Sequence, residues 1–162
     1  MGSGIKFERE IVLNMKKVII PLVLISILLV SGCVTQLSDQ ELTFETISKG
    51  SSSGHDERKD YVIKDLSEWG DLWSKMHSIV LPTPNPPNVN FEDEMIIAVF
   101  QGRHFTGGYA IEITQIVEKE NSVEIFVKEI SPPPDSMVTQ AFTQPYHIVK
   151  VKRVDKEVVF IR

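Results

Sequence analysis

The chain has 162 residues, with 17 Lys plus Arg against 22 Asp plus Glu, and a single cysteine. At 42% hydrophobic and 24% charged residues it has the composition of a folded protein, which excludes wholesale disorder. A formal charge of −5 argues against nucleic-acid binding, and one cysteine excludes both an intrachain disulfide and a Cys-rich zinc site.

The amino end reads as an address. Residues 18–30 are an almost unbroken apolar run of thirteen, preceded directly by Lys16 and Lys17. As a helix this run would be about 20 Å long, short of a hydrocarbon core of about 30 Å. Two lysines, a short apolar segment and then small residues are the three regions of a signal peptide. The small residues are Val30-Ser31-Gly32-Cys33, which resemble the lipobox of exported lipoproteins. There the cysteine sulfur is lipidated and the chain is cut before it, so Cys33 is the expected lipidation site. Met15 directly precedes the lysines, and the expected start lies there. The predicted organisation is a signal peptide over 1–32, a lipidated tether over 33–41, and one domain over 42–162.

Within that domain the first strand is expected at residues 42–47, followed by a Gly/Ser loop at 49–54. Residues 55–60 are expected to continue as a charged hairpin into a second short strand at 61–63. Trp69, Leu72, Trp73 and Met76 fall at i, i+3, i+4 and i+7, a single apolar stripe of a helix. Asp65 stands in position to cap it, with Glu68 three residues on. Pro82, Pro84, Pro86 and Pro87 end the helix and predict a rigid extended crossing. Residues 95–100 are six apolar residues in a row, the pattern of a central strand covered on both faces. Residues 109–116 alternate with a break in parity that predicts a bulge near Thr114 or Gln115. Residues 123–127 alternate in turn, and Pro132, Pro133 and Pro134 close that strand. Residues 147–154 and 158–161 predict a terminal hairpin. The fold class that follows is α+β, a mainly antiparallel β-sheet of six or seven short strands with one amphipathic helix.

Chemistry is harder to find. His55, His77, His104 and His147 show no metal-ligand spacing, so no metal or cofactor is expected. His77 reads as a solvated residue near the end of the helix. Ser51, Ser52 and Ser53 beside His55 and Asp56 contain the residue types of a triad, yet neighbours on a Gly/Ser loop do not hold reactive geometry. No nucleophile elbow or phosphate loop is present, and the expectation is that this is not an enzyme. The segment Gly102-Arg103-His104-Phe105-Thr106-Gly107-Gly108-Tyr109 does stand out, because it brings aromatic, basic and backbone donor groups together. Its plain alternative is a hairpin whose glycines serve the turn. Thr143-Gln144-Pro145-Tyr146-His147 carries the same pair of readings.

Several of these segments together resemble the C-terminal domain of the protease complex subunit PrcB family. The residues that carry the resemblance are Phe91, the run 95–102, Thr106-Gly107-Gly108-Tyr109-Ala110-Ile111, the Pro-rich break at 132–134, and Thr143-Gln144-Pro145-Tyr146-His147-Ile148-Val149-Lys150-Val151. It covers 91–152 and fades over 42–90. It implies an exported lipoprotein with a non-enzymatic, protein-binding role beside a surface protease.

The predicted function is therefore that of a membrane-anchored envelope lipoprotein, extracytoplasmic, serving as a protein-binding accessory subunit. The expected partner is an exported protein, a protease among the candidates. Partner-binding residues are expected on one rim: His104, Phe105, Thr106, Gly107, Gly108 and Tyr109 from one segment, and Thr143, Pro145, Tyr146 and His147 from the other. Phe105, Tyr109, Tyr146 and His147 would be its aromatic anchors, with Gly107 and Gly108 admitting a partner's backbone. The alternatives are a protease inhibitor, a small-ligand module with a pocket of Trp69, Trp73 and Tyr109, and a hydrolase last for want of a motif.

Overall fold

The computed structural model describes residues 39–162, so the expected signal peptide, lipobox and lipidation site at Cys33 lie outside the described residues. In chain order the elements are β1 (Gln40–Glu41), β2 (Phe44–Gly50), β3 (Lys59–Ile63), α1 (Leu66–Met76), β4 (Glu94–Phe100), β5 (Ala110–Glu118), β6 (Ser122–Ile130), β7 (Tyr146–Lys152) and β8 (Glu157–Ile161). The fold class is α+β, with one helix and two four-stranded, mostly antiparallel sheets among the described residues. One sheet has the order β2-β7-β4-β3 and the other β1-β5-β6-β8. The expected six or seven strands become eight because Gln40–Glu41, at the end of the predicted tether, pair with Glu118 and Val117.

The apolar run 95–100 dictates this layering. All six residues are completely buried, and successive strand residues point to opposite faces, so the strand needs a layer on each side. On one face Met95, Ile97 and Val99 meet Ile111, Ile113, Ile116, Val123 and Ile125 of the second sheet. On the other face Ile96, Ala98 and Phe100 meet Trp69, Leu72, Trp73 and Met76 of α1. The helix takes the even-numbered face, because the odd-numbered face belongs to the other sheet. Fully burying each large apolar side chain here contributes about 1.5–3 kcal/mol.

The helix forms as its sequence predicts. Asp65 is the N-cap and its carboxylate accepts the Glu68 N–H at 2.9 Å. The Pro-rich segment then returns along the helix rather than away from it. The Trp69 indole N–H donates to the Pro87 carbonyl and the Trp73 indole N–H to the Pro84 carbonyl, both at 3.0 Å. This satisfies two buried donors that would otherwise cost free energy. His77 is less solvated than expected. Its ring packs on Trp73 with centroids 4.3 Å apart, and its Nδ1–H donates to the Trp73 carbonyl.

Three strand expectations are settled by topology. The bulge falls between Ile113 and Gln115, where the β5–β6 register shifts by one residue. Strands β2 and β3 are not a continuous hairpin; they are the two edges of one sheet, and residues 51–58 cross from one to the other. The terminal hairpin does not form. Both neighbours of β7 are taken, by β2 and β4, so β8 crosses to the other sheet and pairs parallel with β6. Arg153 directs that crossing, with its backbone N–H on Asp93 and its guanidinium on the Phe91 and Lys64 carbonyls.

Candidate functional site

Three connections meet at one end of the two sheets: 51–58, 101–109 and 131–145. They gather there because Gly50 and Phe100 both pair with Tyr146, Lys59 pairs with Phe100, and Ala110 pairs with Ile130. The strands β5 and β7 that the two sequence motifs lead into lie in different sheets. The motifs nevertheless touch. His104 and Thr143 form an antiparallel bridge with N–H to carbonyl distances of 2.8 and 3.0 Å, and the Thr143 hydroxyl donates to the Thr106 carbonyl at 2.8 Å.

Gln144 latches the third connection to these two. Its backbone N–H donates to Ser51, its side-chain carbonyl accepts the Gly54 N–H, and its side-chain amide donates to Asp56. Gly102 adopts φ +85°, and a Cβ there would stand 2.9 Å from the Arg58 backbone nitrogen. Only glycine lets the chain pass so close. The Pro145 carbonyl, from the buried Pro145, accepts the Gln101 N–H.

The predicted site residues divide sharply by exposure. Phe105 is 75% exposed and its ring stands free of the core. Tyr109 lies flat on His104, with ring centroids 3.7 Å apart. Tyr146 stacks on Phe100 and its hydroxyl bonds the Ser48 hydroxyl at 2.9 Å. His147 is buried between the sheets. It is therefore Phe105 that is presented as an anchor, while Tyr109, Tyr146 and His147 are held by the chain itself. Gly107 and Gly108 do not open a path for a partner's backbone. A Cβ on Gly107 would meet the Thr139 hydroxyl and one on Gly108 would meet Pro132, so their space is filled from 131–145.

His147 shows what these strand starts are built for. The Ile113 N–H donates to its Nδ1 at 2.9 Å, which leaves the proton on Nε2 to donate to the Thr46 hydroxyl at 2.9 Å. One imidazole thus ties β7 to β2 in its own sheet and to the bulge of β5 in the other. Burial lowers its pKa to about 4, with nearby Lys49 acting in the same direction and Glu112 against it. Burial also lowers the pKa of His104, and that of His55, where Lys75 adds to the effect. His55 packs on Phe100 at 4.4 Å and its Nε2 faces the Tyr61 hydroxyl, while Ser53 accepts the His55 backbone N–H. Asp56, for its part, is engaged by Gln144 and Arg103. These contacts are those of a packed loop. Among the described residues no group of His, Cys, Asp and Glu is gathered as metal ligands, and no helix is long and apolar enough to cross a membrane.

Two residues of the surface were not singled out in the sequence. Phe142 is 62% exposed and meets Phe105 edge to face at 5.5 Å, and the Arg103 guanidinium lies 4.5 Å over the Phe142 ring. Met137 stands fully exposed on the same connection, which runs fifteen residues from β6 to β7. A connection of that length is itself a signal of function, and Phe142 is a large apolar side chain within it that no strand period claims. The rim thus consists of a cross-linked base and an exposed cap of Phe105, Phe142 and Arg103. The small-ligand pocket does not assemble: Trp69 and Trp73 are buried under the helix, whereas Tyr109 is committed to His104.

The family model described as PrcB C-terminal matches residues 95–152. This stretch is similar to the C-terminal domain of the PrcB family. The match starts with β4, ends with β7, and contains both connections that form the exposed cap. It leaves out β3 and α1. Comparison with curated proteins gives no match, and comparison with solved structures gives none.

Proposed function

We propose that this protein is a lipid-anchored, extracytoplasmic, non-catalytic subunit that binds an exported protein through the rim, within a protease complex. The observation that carries the reading is the exposed Phe105–Phe142–Arg103 cap on a base of connections tied to one another by hydrogen bonds. Aromatic rings with few rotamers and an arginine are the residue types that dominate binding hot spots. A cap fixed by three tied connections also loses little entropy on docking. The PrcB match supports the choice of a protease complex, since its residues 95–152 include the whole cap. Anchoring rests on the run ending at Cys33, and stable anchoring takes more than one acyl chain.

The test compares the wild-type lipoprotein with Phe105→Ala/Phe142→Ala in capture from solubilised membranes, with the captured proteins identified. The double variant is expected to lose an exported protease while unfolding at nearly the wild-type temperature. Equal loss of stability and capture would make the rim mere scaffold. Inhibition of the captured protease by added rim domain would instead mark an inhibitor. For the anchor, Cys33→Ser is expected to release the protein from membranes, and an unlipidated native protein with its amino terminus elsewhere would refute the lipobox reading.

A further inference from the structure

Of the four outer strands of the two sheets, β1, β2, β3 and β8, β1 is only two residues long and β2 carries a bulge, which spoils an edge for further pairing. Strand β3 carries none. Its five residues pair with β4 in unbroken register, and among the described residues no strand lies on its other side.

A cleft of about 420 Å³ runs along that open edge. Its strand wall is made by the consecutive residues 60–63, and consecutive strand residues point to opposite faces. A cleft lined by all four therefore follows the backbone edge rather than one face. The opposite wall is Glu68, Asp71, Leu72 and Lys75, a single stripe of α1 at i, i+3, i+4 and i+7. Open strand edge and facing helix together make the geometry of strand addition to a sheet.

The helix wall of the groove also carries charged side chains. Asp60 is taken up by a bidentate contact from Arg162, so it adds little charge to the cleft. Glu68 and Asp71 are exposed and make no ion pair among the described residues. Lys75 stands at the rim end, where a Cβ on Gly54 would lie 3.6 Å from its carbonyl oxygen. Glu68 and Lys75 are separated by about 10 Å of helix rise. On a strand rising about 3.3 Å per residue, side chains of one face spaced four residues apart come nearest to that separation.

We propose that the β3 edge and the α1 stripe form a second docking groove, which takes an extended segment of a partner protein as an added strand, with a Lys or Arg at Glu68 and Asp71 and an Asp or Glu four residues away at Lys75. The groove lies outside the family match and does not depend on the rim. Main-chain hydrogen bonds to β3 supply affinity, Leu72 takes an apolar side chain, and the two charged ends set the register.

The probe is a phage-displayed heptapeptide library, panned on the full chain in detergent micelles. The expected consensus is proline-free, alternates apolar residues, and holds a basic and an acidic residue four apart. Selected peptides are expected to slow amide exchange across Lys59–Ile63 and to bind at least tenfold more weakly to Glu68→Lys/Asp71→Lys. Both positions are on the exposed helix face, so the variant is expected to fold, which its unfolding temperature checks. The proposal is overturned by no enrichment over bare matrix, by a proline-rich consensus, or by binding that survives the charge reversal. Protection confined to Phe105 and Phe142 would overturn it too, while leaving the rim reading standing.

Discussion

The two faces of β4 solve the same burial problem with different chemistry. Toward the second sheet, Met95, Ile97 and Val99 join a buried core that is mostly aliphatic, with Phe44 and Phe160 at its margin and His147 at its rim end. Toward the helix, Ile96, Ala98 and Phe100 pack under two tryptophans whose N–H groups are claimed by a proline-rich strap. An aliphatic interface has no polar groups to satisfy, so it needs only shape. An aromatic interface removes more area from water but requires partners for its donors, and here a segment without regular secondary structure provides them. The helix side is thus the more dependent on a single element, and the sheet side is the more distributed.

Substitution of Trp73 is the strongest way to break the comparison. Trp73→Ala removes the ring, its bond to Pro84 and the stack on His77, and is expected to cost about 3–5 kcal/mol in denaturant unfolding. Ile97→Val, on the aliphatic face, is expected to cost only about 0.5–1.5 kcal/mol. Comparable losses at the two positions would mean the strap contributes nothing.

Acid sharpens the contrast from the other side, because His147 is the one buried titratable group wired across both sheets. Its folded pKa of about 4 lies below the ordinary 6.5, so the unfolded chain binds the proton more readily between those values. The resulting stability is complete above about pH 6.5 and is lost as pH falls toward 4, a change of up to about 3 kcal/mol. Burial lowers His55 and His104 in the same sense, so part of the slope is theirs. In His147→Gln the slope of unfolding free energy against pH is expected to flatten across this window. An unchanged slope would remove His147 from the account.

The smallest effect is a gain. Gly70 sits inside α1, and a Cβ there would meet nothing within 4 Å. Gly70→Ala is expected to stabilise the protein by up to about 1 kcal/mol, read as a raised unfolding temperature. A loss instead would show that the helix face at Gly70 is packed more tightly than its neighbours indicate.

Local patterns in the sequence carried their structures faithfully. The helix followed from the spacing of Trp69, Leu72, Trp73 and Met76, its cap from Asp65, and the two-sided burial of β4 from its unbroken apolar run. What stayed illegible was the allocation of strands between two sheets. That allocation depends on pairings far apart in the chain, such as Phe44 with Val151 and Ser122 with Glu157, and on β7 having no edge left for β8. The rim was half legible for the same reason. Phe105 could be read as a loop aromatic, but Phe142 became its neighbour only through the His104–Thr143 bridge. Tyr146 and His147 read as turn residues because the sheets that enclose them are not written locally.

The two-residue strand β1 sets a direction for the whole domain. It holds the chain's entry against Val117 and Glu118, at the far end of β5 from the rim. Nine residues of strand separate those ends, about 30 Å. The aromatic cap and the point where the chain enters the domain thus stand at opposite ends of the sheet. Anything that docks on the cap would therefore approach from the side away from that entry and leave β1 undisturbed.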